Sequence, residues 1–287
     1  MQQRPHSALK CATALALCPV TAVCLAEQLS HPSDHTDPCY ASSDCYSVTV
    51  GSKAVDSTRL APYHAIWVQQ RVVDGKPTAS PATFEERLQR EANGHWLHTQ
   101  IQRPGNGMAI TGLRTLDGKT LALNGMQLQI DNGPAEQPTQ VDYLIEADGH
   151  TGTAQFADGT EKAGTKKPLS MRMFDGHIGG ISFASLPLAE GYTASLPMLI
   201  PNLGKYWIEA KVRGKKSIVS PAGESIQTWE VDAKWLNLGT GDIYPGGRDG
   251  SGGTYYIAIE PGNGVPPVVE YANENAVITW DGVRRTD

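Results

Sequence analysis

The chain has few residues of the kinds that usually carry enzymatic chemistry, and its second half has the fewest. Neither histidine nor cysteine occurs after His177, so the acid–base groups of residues 178–287 are mainly carboxylates. Zinc sites and Cys–His or Ser–His catalysis built from that half alone are therefore excluded, because each needs an imidazole or a thiolate. No cofactor-binding signature is present, and the sequence predicts neither a cofactor nor an enzymatic activity.

One near match to a catalytic motif occurs. Residues 180–184 read Gly-Ile-Ser-Phe-Ala, which resembles the nucleophile elbow of α/β hydrolases around Ser182. The hydrolase motif ends in a glycine, and in the α/β-hydrolase fold a histidine follows the serine along the chain. Both are missing here. An ordinary helix residue is the favoured interpretation of Ser182, and a hydrolase remains the second alternative function.

Basic clusters are scarce, and the chain is acidic overall. The formal net charge is −6, and losing Arg4 and Lys10 with residues 1–26 would bring it to about −8. The compact basic clusters are three pairs, Lys166-Lys167, Lys215-Lys216 and Arg284-Arg285. Duplex binding needs a larger basic patch to displace the phosphate counterions, so nucleic acid is not a predicted partner.

Long apolar runs are also missing. The uncharged stretch from Cys11 to Ala26 has 16 residues and contains Pro19, whereas a spanning helix needs about 20 apolar residues. Positive charges precede this stretch and small residues end it, which is the pattern of a secretory signal peptide covering residues 1–26. The sequence predicts a periplasmic or secreted protein cleaved near Ala26, without a transmembrane segment.

A lipid anchor is the less favoured alternative for the same segment. Either Cys18 or Cys24 would carry the lipid, but Leu17 and Val23 precede them and are larger than a lipoprotein signal normally allows.

Only Cys39 and Cys45 lie beyond the signal, in a leader of residues 27–54. Two thiols this close usually pair in an oxidising compartment, so the sequence predicts a disulfide between them. The leader also holds His31, Asp34, His35 and Asp37, but it lacks the fixed spacing of zinc ligands. A flexible polar leader is therefore favoured, and no metal site is predicted.

The most abundant signal in the chain is the Asx-Gly pair. An Asn or Asp is followed directly by Gly twelve times, and nine of these pairs fall between Asp74 and Gly176. Both central residues of a type I′ turn need positive φ, so such pairs between alternating apolar residues indicate β-hairpins. We expect a mostly β protein, an antiparallel meander that forms a curved sheet or half-barrel.

The predicted domain plan has a β-meander over residues 55–176, followed by a second β region over 177–287 that continues the same sheet. The predicted strands are 63–73, 95–103, 108–115, 120–123, 127–130, 141–147, 151–156, 169–174, 205–213, 227–235, 254–260, 268–271 and 276–280, with a further short strand between Pro197 and Pro201. Residues 83–91 fit a helix or a strand, and the following Asn93-Gly94 favours a hairpin. One short helix is expected over residues 177–186.

Several motifs in the second half resemble a known family. They are Leu186-Pro187-Leu188-Ala189-Glu190-Gly191-Tyr192, Val219-Ser220-Pro221-Ala222-Gly223 before Thr228-Trp229-Glu230-Val231, Gly253-Thr254-Tyr255-Tyr256-Ile257 and Pro267-Val268-Val269-Glu270-Tyr271. Over residues 170–280 the chain resembles an uncharacterised bacterial secreted-domain family whose fold is similar to the lipoprotein-carrier half-barrel. In that superfamily a curved sheet can hold an acyl chain, so the resemblance implies a periplasmic carrier or sensor.

Four aromatic residues are the candidate ligand contacts. Trp67, Trp96 and Trp207 lie on what reads as the more polar face of an alternating strand, and Tyr256 shares its face with Thr254 and Glu260. Aromatic side chains off the apolar face indicate either a groove for a lipid, glycan or peptide or a sheet packed on both sides.

Other polar pairs are expected to be solvated, because neighbours along a strand diverge and His95 and His98 would point to opposite faces. The same applies to Glu85 and Glu86.

The leading interpretation is thus a periplasmic binding or carrier protein for an apolar or amphipathic ligand. A cell-envelope structural or interaction protein is the first alternative.

Overall fold

The structure is a computed structural model that describes residues 37–39, 43–78, 82–105, 107–201, 204–220, 222–237, 252–262, 264–280 and 284–285. The predicted signal peptide, the leader residues His31, Asp34 and His35, and the glycine-rich residues 238–251 lie outside this part of the chain. Among the described residues, no helix is long and apolar enough to cross a bilayer.

The described residues form mainly β-strands, as the turn pairs predict. The strands are β1 (Tyr46–Ser47), β2 (Tyr63–Val73), β3 (Lys76–Pro77), β4 (Ala82–Arg90), β5 (Trp96–Gly105), β6 (Met108–Leu116), β7 (Leu123–Asp131), β8 (Gln140–Ile145), β9 (Gly149–Gln155), β10 (Glu161–Ala163), β11 (Lys167–Pro168), β12 (Phe174–Asp175), β13 (Thr193–Ile200), β14 (Gly204–Val219), β15 (Ser225–Asn237), β16 (Gly252–Ala258), β17 (Val268–Ala272), β18 (Ala276–Trp280) and β19 (Arg284–Arg285). The helices are a 3-10 turn at Ser57–Arg59 and α1 at Gly179–Ala184.

One continuous sheet joins the two halves of the chain. Strands β2 and β4 to β9 pair in sequence order as an antiparallel meander, which we call the meander layer. Strands β13 to β18 form a second antiparallel run, and β18 pairs with β2, with Trp280 opposite Trp67. The sheet has many strands and is not closed into a barrel, so the predicted mostly β fold is confirmed.

Most Asx-Gly pairs of the meander do form turns. Asp74 and Gly75 both have positive φ, 52° and 73°, at the hairpin between β2 and β3, as a type I′ turn requires. Residues 83–91 are strand β4, in agreement with the hairpin interpretation.

Two Asx-Gly pairs do not form hairpin turns. Asn124-Gly125 lies inside β7 beside a β-bulge, and Asp175-Gly176 lies at the end of β12, ahead of the helix.

The predicted strand at residues 120–123 is wrong. The side chain of Asp117 accepts the backbone N–H groups of Lys119 and Thr120 at 3.0 and 2.7 Å, and Leu121 has a φ of 58°. This local acceptor closes a turn, which competes with strand pairing, and β7 begins only at Leu123. The predicted strand at 169–174 is also wrong, because β11 ends at Pro168 and only Phe174 of this range is in a strand, the two-residue β12.

The predicted helix is confirmed as α1, whose six residues are all buried. It packs closely on the second half of the sheet because its first two residues are glycines. A Cβ on Gly179 would meet Met198 and Ile208 at 3.5–3.6 Å, and one on Gly180 would lie 2.5 Å from Val268. The helix therefore covers one face of β13, β14 and β17.

The face of β2 that packs inward is the opposite of the one that the alternation suggested. Tyr63, Ala65, Trp67 and Gln69 are buried, whereas Ile66 is 39% exposed. A tryptophan buries far more area than a β-branched residue, so the set that contains Trp67 faces the core even though it counts as the more polar one.

The described residues Asp37 and Tyr46–Ser47 of the leader lie at the edge of β13. Cys39 and Cys45 are joined by a disulfide with 5.1 Å between their Cα atoms, as their spacing predicts. Strand β1 follows at once and pairs in parallel with Ala194 and Ser195 of β13. The hydroxyl of Ser195 also donates to the carboxylate of Asp37. The division into leader and two β regions remains a prediction.

Candidate functional site

The candidate site lies between two layers of the fold. Every residue of β13 from Ala194 to Ile200 is buried, so the strand is covered on both faces. The helix covers the face with Met198. On the other face, the register places Asp175 beside Leu199 and Leu199 beside Lys205, and Trp207 follows two residues later on the same side. This face of β12, β13 and β14 meets the inner face of the meander layer, and we call the region between them the interlayer.

A buried ion pair joins the two layers. Arg114 Nε of β6 lies 3.1 Å from Asp175 Oδ2 of β12, and these side chains are 3% and 1% exposed. The second oxygen, Asp175 Oδ1, accepts the backbone N–H of His177 at 2.7 Å and lies 3.5 Å from Nδ1 of the same residue. His177 itself is partly exposed, so the network reaches the surface there.

The network continues inward across the meander. Arg114 Nη1 lies 3.5 Å from His98 Nδ1, and His98 Nε2 lies 3.1 Å from Glu86 Oε1, which also accepts the hydroxyl of Tyr63. An arginine can only donate, so His98 Nδ1 is the acceptor in this contact, and Nε2 faces the carboxylate of Glu86. These side chains form a row that runs from Tyr63 on β2 through β4, β5, β6 and β12 to His177.

Both carboxylates of the row are ionised. Burial by itself would raise the pKa of Asp175, but Arg114 and His177 together hold it below the usual value. Burial likewise opposes ionisation of Glu86, yet its neighbours His98, Tyr63 and Arg114 hold its pKa below the usual value. Burial and then Glu86 raise the pKa of Tyr63 well above normal, so its hydroxyl keeps its proton.

Sequence reasoning missed this network. Glu86 and His98 were expected to be solvated, and that expectation is wrong, because both point into the interlayer. The predicted divergence of the neighbouring carboxylates holds: Glu85 faces outward, where its carboxylate meets His64 at 3.0 Å and Arg87. The alternation of side chains along the strands could have indicated this burial, because His98 lies on the same face as Trp96 and Arg114 on the same face as Leu116.

Several other buried polar atoms have no hydrogen-bond partner within the described residues. On the interior faces they are the indole Nε1 atoms of Trp67, Trp96 and Trp207, Oε1 of Gln69 and Nδ1 of His150. Buried polar groups are usually paired, so each of these positions needs an explanation. Three of them belong to the tryptophans that the sequence picked out as ligand contacts.

The four predicted contact residues do not converge at one place. Trp67, Trp96, Trp207 and Tyr256 are all buried, with 2–4% exposure. Trp67 stacks on Phe84 near one end of the meander's inner face, and Trp96 lies near the other end. Trp207 faces the interlayer from β14. Tyr256 is elsewhere, in a separate small cluster with Ile218, Ala258 and Val269.

A buried histidine lies in the interlayer beside two lysines. His150 of β9 is 5% exposed and is paired directly with Lys167 of β11. Burial is the main cause that lowers the pKa of His150 to about 4, and the charges of Lys167 and Lys205 lower it further. Because Lys205 is near the start of β14, the effect of its charge on His150 indicates that β9 lies near β14 across the interlayer.

The alternative chemistries find less support. Ser182 is buried in α1, and none of the described contacts joins its side chain to His150 or His177. No group of three or more His, Cys, Asp or Glu within the described ranges is arranged to hold a metal ion.

A cleft of about 170 Å³ opens at the turn between β7 and β8, lined by Ile130, Pro134 and their neighbours. It contains none of the residues discussed above.

Comparisons with known proteins do not assign a family. No protein-family model matches the chain, and no curated protein matches its sequence. Among solved structures, the crystal structure of a DUF1329 family protein from Desulfovibrio piger aligns over 80% of this chain and 88% of that chain. The identity is 11% and the TM-score is 0.18, a similarity too low to carry an argument about fold or function.

Proposed function

We propose that this protein is an exported binding or carrier protein that holds an amphipathic small molecule in the interlayer. The observation that carries the proposal is a set of buried nitrogens on the facing layers that have no hydrogen-bond partner among the described residues: Trp96 Nε1 and His150 Nδ1 on the meander and Trp207 Nε1 on β14. Each unpaired buried polar group costs about 1–3 kcal/mol. A ligand that brings acceptor oxygens between apolar walls would recover that free energy on binding.

The surrounding side chains fit a ligand that is largely apolar. Leu199, Ile145 and Leu123 are buried members of the main core cluster, and Tyr143 packs on it from the same meander. Binding sites for small molecules are typically lined by apolar and aromatic groups with a few placed polar atoms. The signal-peptide pattern and the carrier-like resemblance of residues 170–280 support the same role in the periplasm.

The envelope-interaction alternative depends on an open sheet edge, through which a partner strand could add. Within the described part of the chain the outer strands carry short extra strands. β1 and β12 line the edge of β13, and β10 and β11 line β9. The segment around β10 is exposed and carries Lys162, Lys166 and Lys167, charges of the kind that block edge pairing. The binding role is therefore the better supported one.

The first test is native mass spectrometry of the protein expressed as its full chain, exported and purified without detergent, with organic extraction of bound molecules. A stoichiometric amphipathic compound would support the proposal and identify its class.

The second test is a tryptophan-fluorescence titration of that compound, or of a panel of fatty acids and lysophospholipids. Trp207→Phe should weaken binding, whereas Trp229→Phe, on the half-buried β15 position near Lys215, is the matched control and should not. Equal affinities for the two variants, or no binding across the panel and no extracted compound, would overturn the proposal.

A further inference from the structure

The buried His150 lies near two lysine side chains, and one of them, Lys167, is exposed to solvent. His150 is on β9, Lys167 on the short edge strand β11, and Lys205 at the start of β14. They come from three separate strands and two different parts of the chain, so their proximity follows from the fold rather than from sequence.

The backbone register fixes one of these approaches. His150 and Lys167 are directly opposed residues of the antiparallel β9–β11 pair, and directly opposed side chains have Cβ atoms about 4.5–5.5 Å apart. His150 is also opposed to Ile145 of the apolar core, so its ring lies on the interior face while Lys167 reaches solvent. The site is therefore buried on one side and open on the other.

His150 Nδ1 is buried and has no partner among the described residues. A neutral imidazole with its proton on Nδ1 donates one hydrogen bond, and each lysine ammonium donates up to three. Within the site these three residues supply donors and positive charge, which is the complement of an anionic oxygen group.

We infer that His150, Lys167 and Lys205 receive the anionic head group, a carboxylate or a phosphate, of the molecule bound in the interlayer. This inference rests on the proposed function, and it adds the charge and the orientation of the ligand. The head group lies at the open end. The apolar part extends inward past Trp207, which shares a face with Lys205, toward Ile145 and Leu199.

The electrostatics of the site agree with this assignment. Burial is the main cause that lowers the pKa of His150, and the charges of the same two lysines lower it further. An anion beside the ring would favour a proton on the imidazole.

The test compares ligands that share one tail. Isothermal titration calorimetry would use dodecanoate, dodecyl phosphate and dodecanol below their micelle concentrations, with the full-chain protein. Charge-assisted hydrogen bonds contribute about 1.5–3 kcal/mol each, so we expect the two anions to bind at least tenfold more tightly than dodecanol. A preference between the two anions tells a fatty acid from a phosphate-bearing lipid.

The variants are Lys167→Gln and Lys205→Gln, with Lys211→Gln, an exposed residue of the same strand β14, as the matched control. Each site variant should weaken anion binding about tenfold and leave dodecanol binding unchanged, and the control should behave as the wild type.

Dodecanol binding that equals dodecanoate binding, or lysine variants without effect, would overturn the head-group inference and leave the proposed function intact. Failure of all three compounds to bind would overturn the inference and count against the proposed function, which the extraction experiment tests without reference to charge.

Discussion

The two faces of the strands β12 to β14 are buried to a similar degree but by different chemistry. On the helix side, Met198 and Ile208 pack against the glycines of α1, and the contact is apolar. On the interlayer side, Asp175 is paired with Arg114, and the indole N–H of Trp207 has no hydrogen-bond partner among the described residues. Burial alone therefore does not separate the part of the core that holds the fold together from the part suited to binding.

The difference lies in what each face loses when it is perturbed. An apolar contact loses transfer free energy and packing, and its cost grows with the volume changed. A buried ion pair that loses one partner leaves an uncompensated charge, which costs more than the intact pair contributes. A buried donor without a partner already destabilises the folded state. A substitution that removes this donor should therefore change the free energy of unfolding only a little. Substitutions of these kinds should therefore differ in how much they lower the free energy of unfolding.

The largest effect is expected from Asp175→Ala. It leaves Arg114 buried without the carboxylate that contacts its Nε, and we expect the free energy of unfolding to fall by about 3–5 kcal/mol in urea denaturation. The matched control is Asp232→Ala, which removes an exposed pair with Arg213, 38% and 55% exposed, and should cost less than about 1 kcal/mol.

The double variant Arg114→Met with Asp175→Leu should regain most of that loss, because no charge is left buried. If Asp175→Ala and Asp232→Ala cost the same, the ion pair does not join the layers as described.

The second effect is a pH dependence from His150. Its folded pKa is about 4 and the reference value is 6.5, so between these values the unfolded chain binds a proton that the folded chain does not. Stability therefore falls as the pH falls through this window, by roughly 2–3 kcal/mol in total. Asp175 and Glu86, whose pKa values are lowered, keep their contribution above about pH 4.5 and lose it only at lower pH.

Urea denaturation at pH 7, 5.5 and 4.5 would measure this slope. His150→Gln should flatten it between pH 6.5 and 4.5. An unchanged slope in His150→Gln would place the titrating group elsewhere.

The third effect tests the helix side. Gly180→Ala places a Cβ 2.5 Å from Val268 and 3.1 Å from the ring of Tyr255, and overpacking of this kind costs about 1–3 kcal/mol. Gly179→Ala is the matched control on the same helix, because its Cβ meets Met198 and Ile208 at ordinary contact distances. The control should be neutral or stabilising by up to about 1 kcal/mol through helix propensity, as measured by thermal and urea unfolding. Equal costs for both substitutions would mean that α1 packs less tightly than the distances indicate.

Local signals predicted the strands and the helix, and they failed where two distant segments meet. Asp74-Gly75 forms its hairpin because the backbone conformation is dictated by those two residues. Asp175-Gly176 looks the same in sequence, yet Asp175 is buried because β12 pairs in parallel with β13 and then meets β6. Glu86 reads as a solvated strand residue until Arg114 and His98 are brought beside it. The parallel pairing of β12 with β13 and the packing of the meander layer against β14 join segments far apart in the chain. Neither produces a short-range pattern in the amino-acid sequence.

The smallest effect on stability, and the sharpest comparison of the two faces, is expected from Trp207→Phe. Phenylalanine removes the unpartnered indole N–H, which recovers about 1 kcal/mol, and leaves a small cavity that costs a similar amount, so the net change should stay within about 1 kcal/mol. Trp235→Phe, on the helix side of the same sheet, disturbs an edge-on contact with Tyr206 at 6.0 Å between ring centroids and should be the more destabilising of the two. Ligand affinity should show the reverse order, with Trp207→Phe the weaker binder, because only the interlayer N–H faces the proposed ligand. If Trp207→Phe lowered stability as much as Trp235→Phe and bound the ligand as tightly as the wild type, both faces of β14 would have a structural role only.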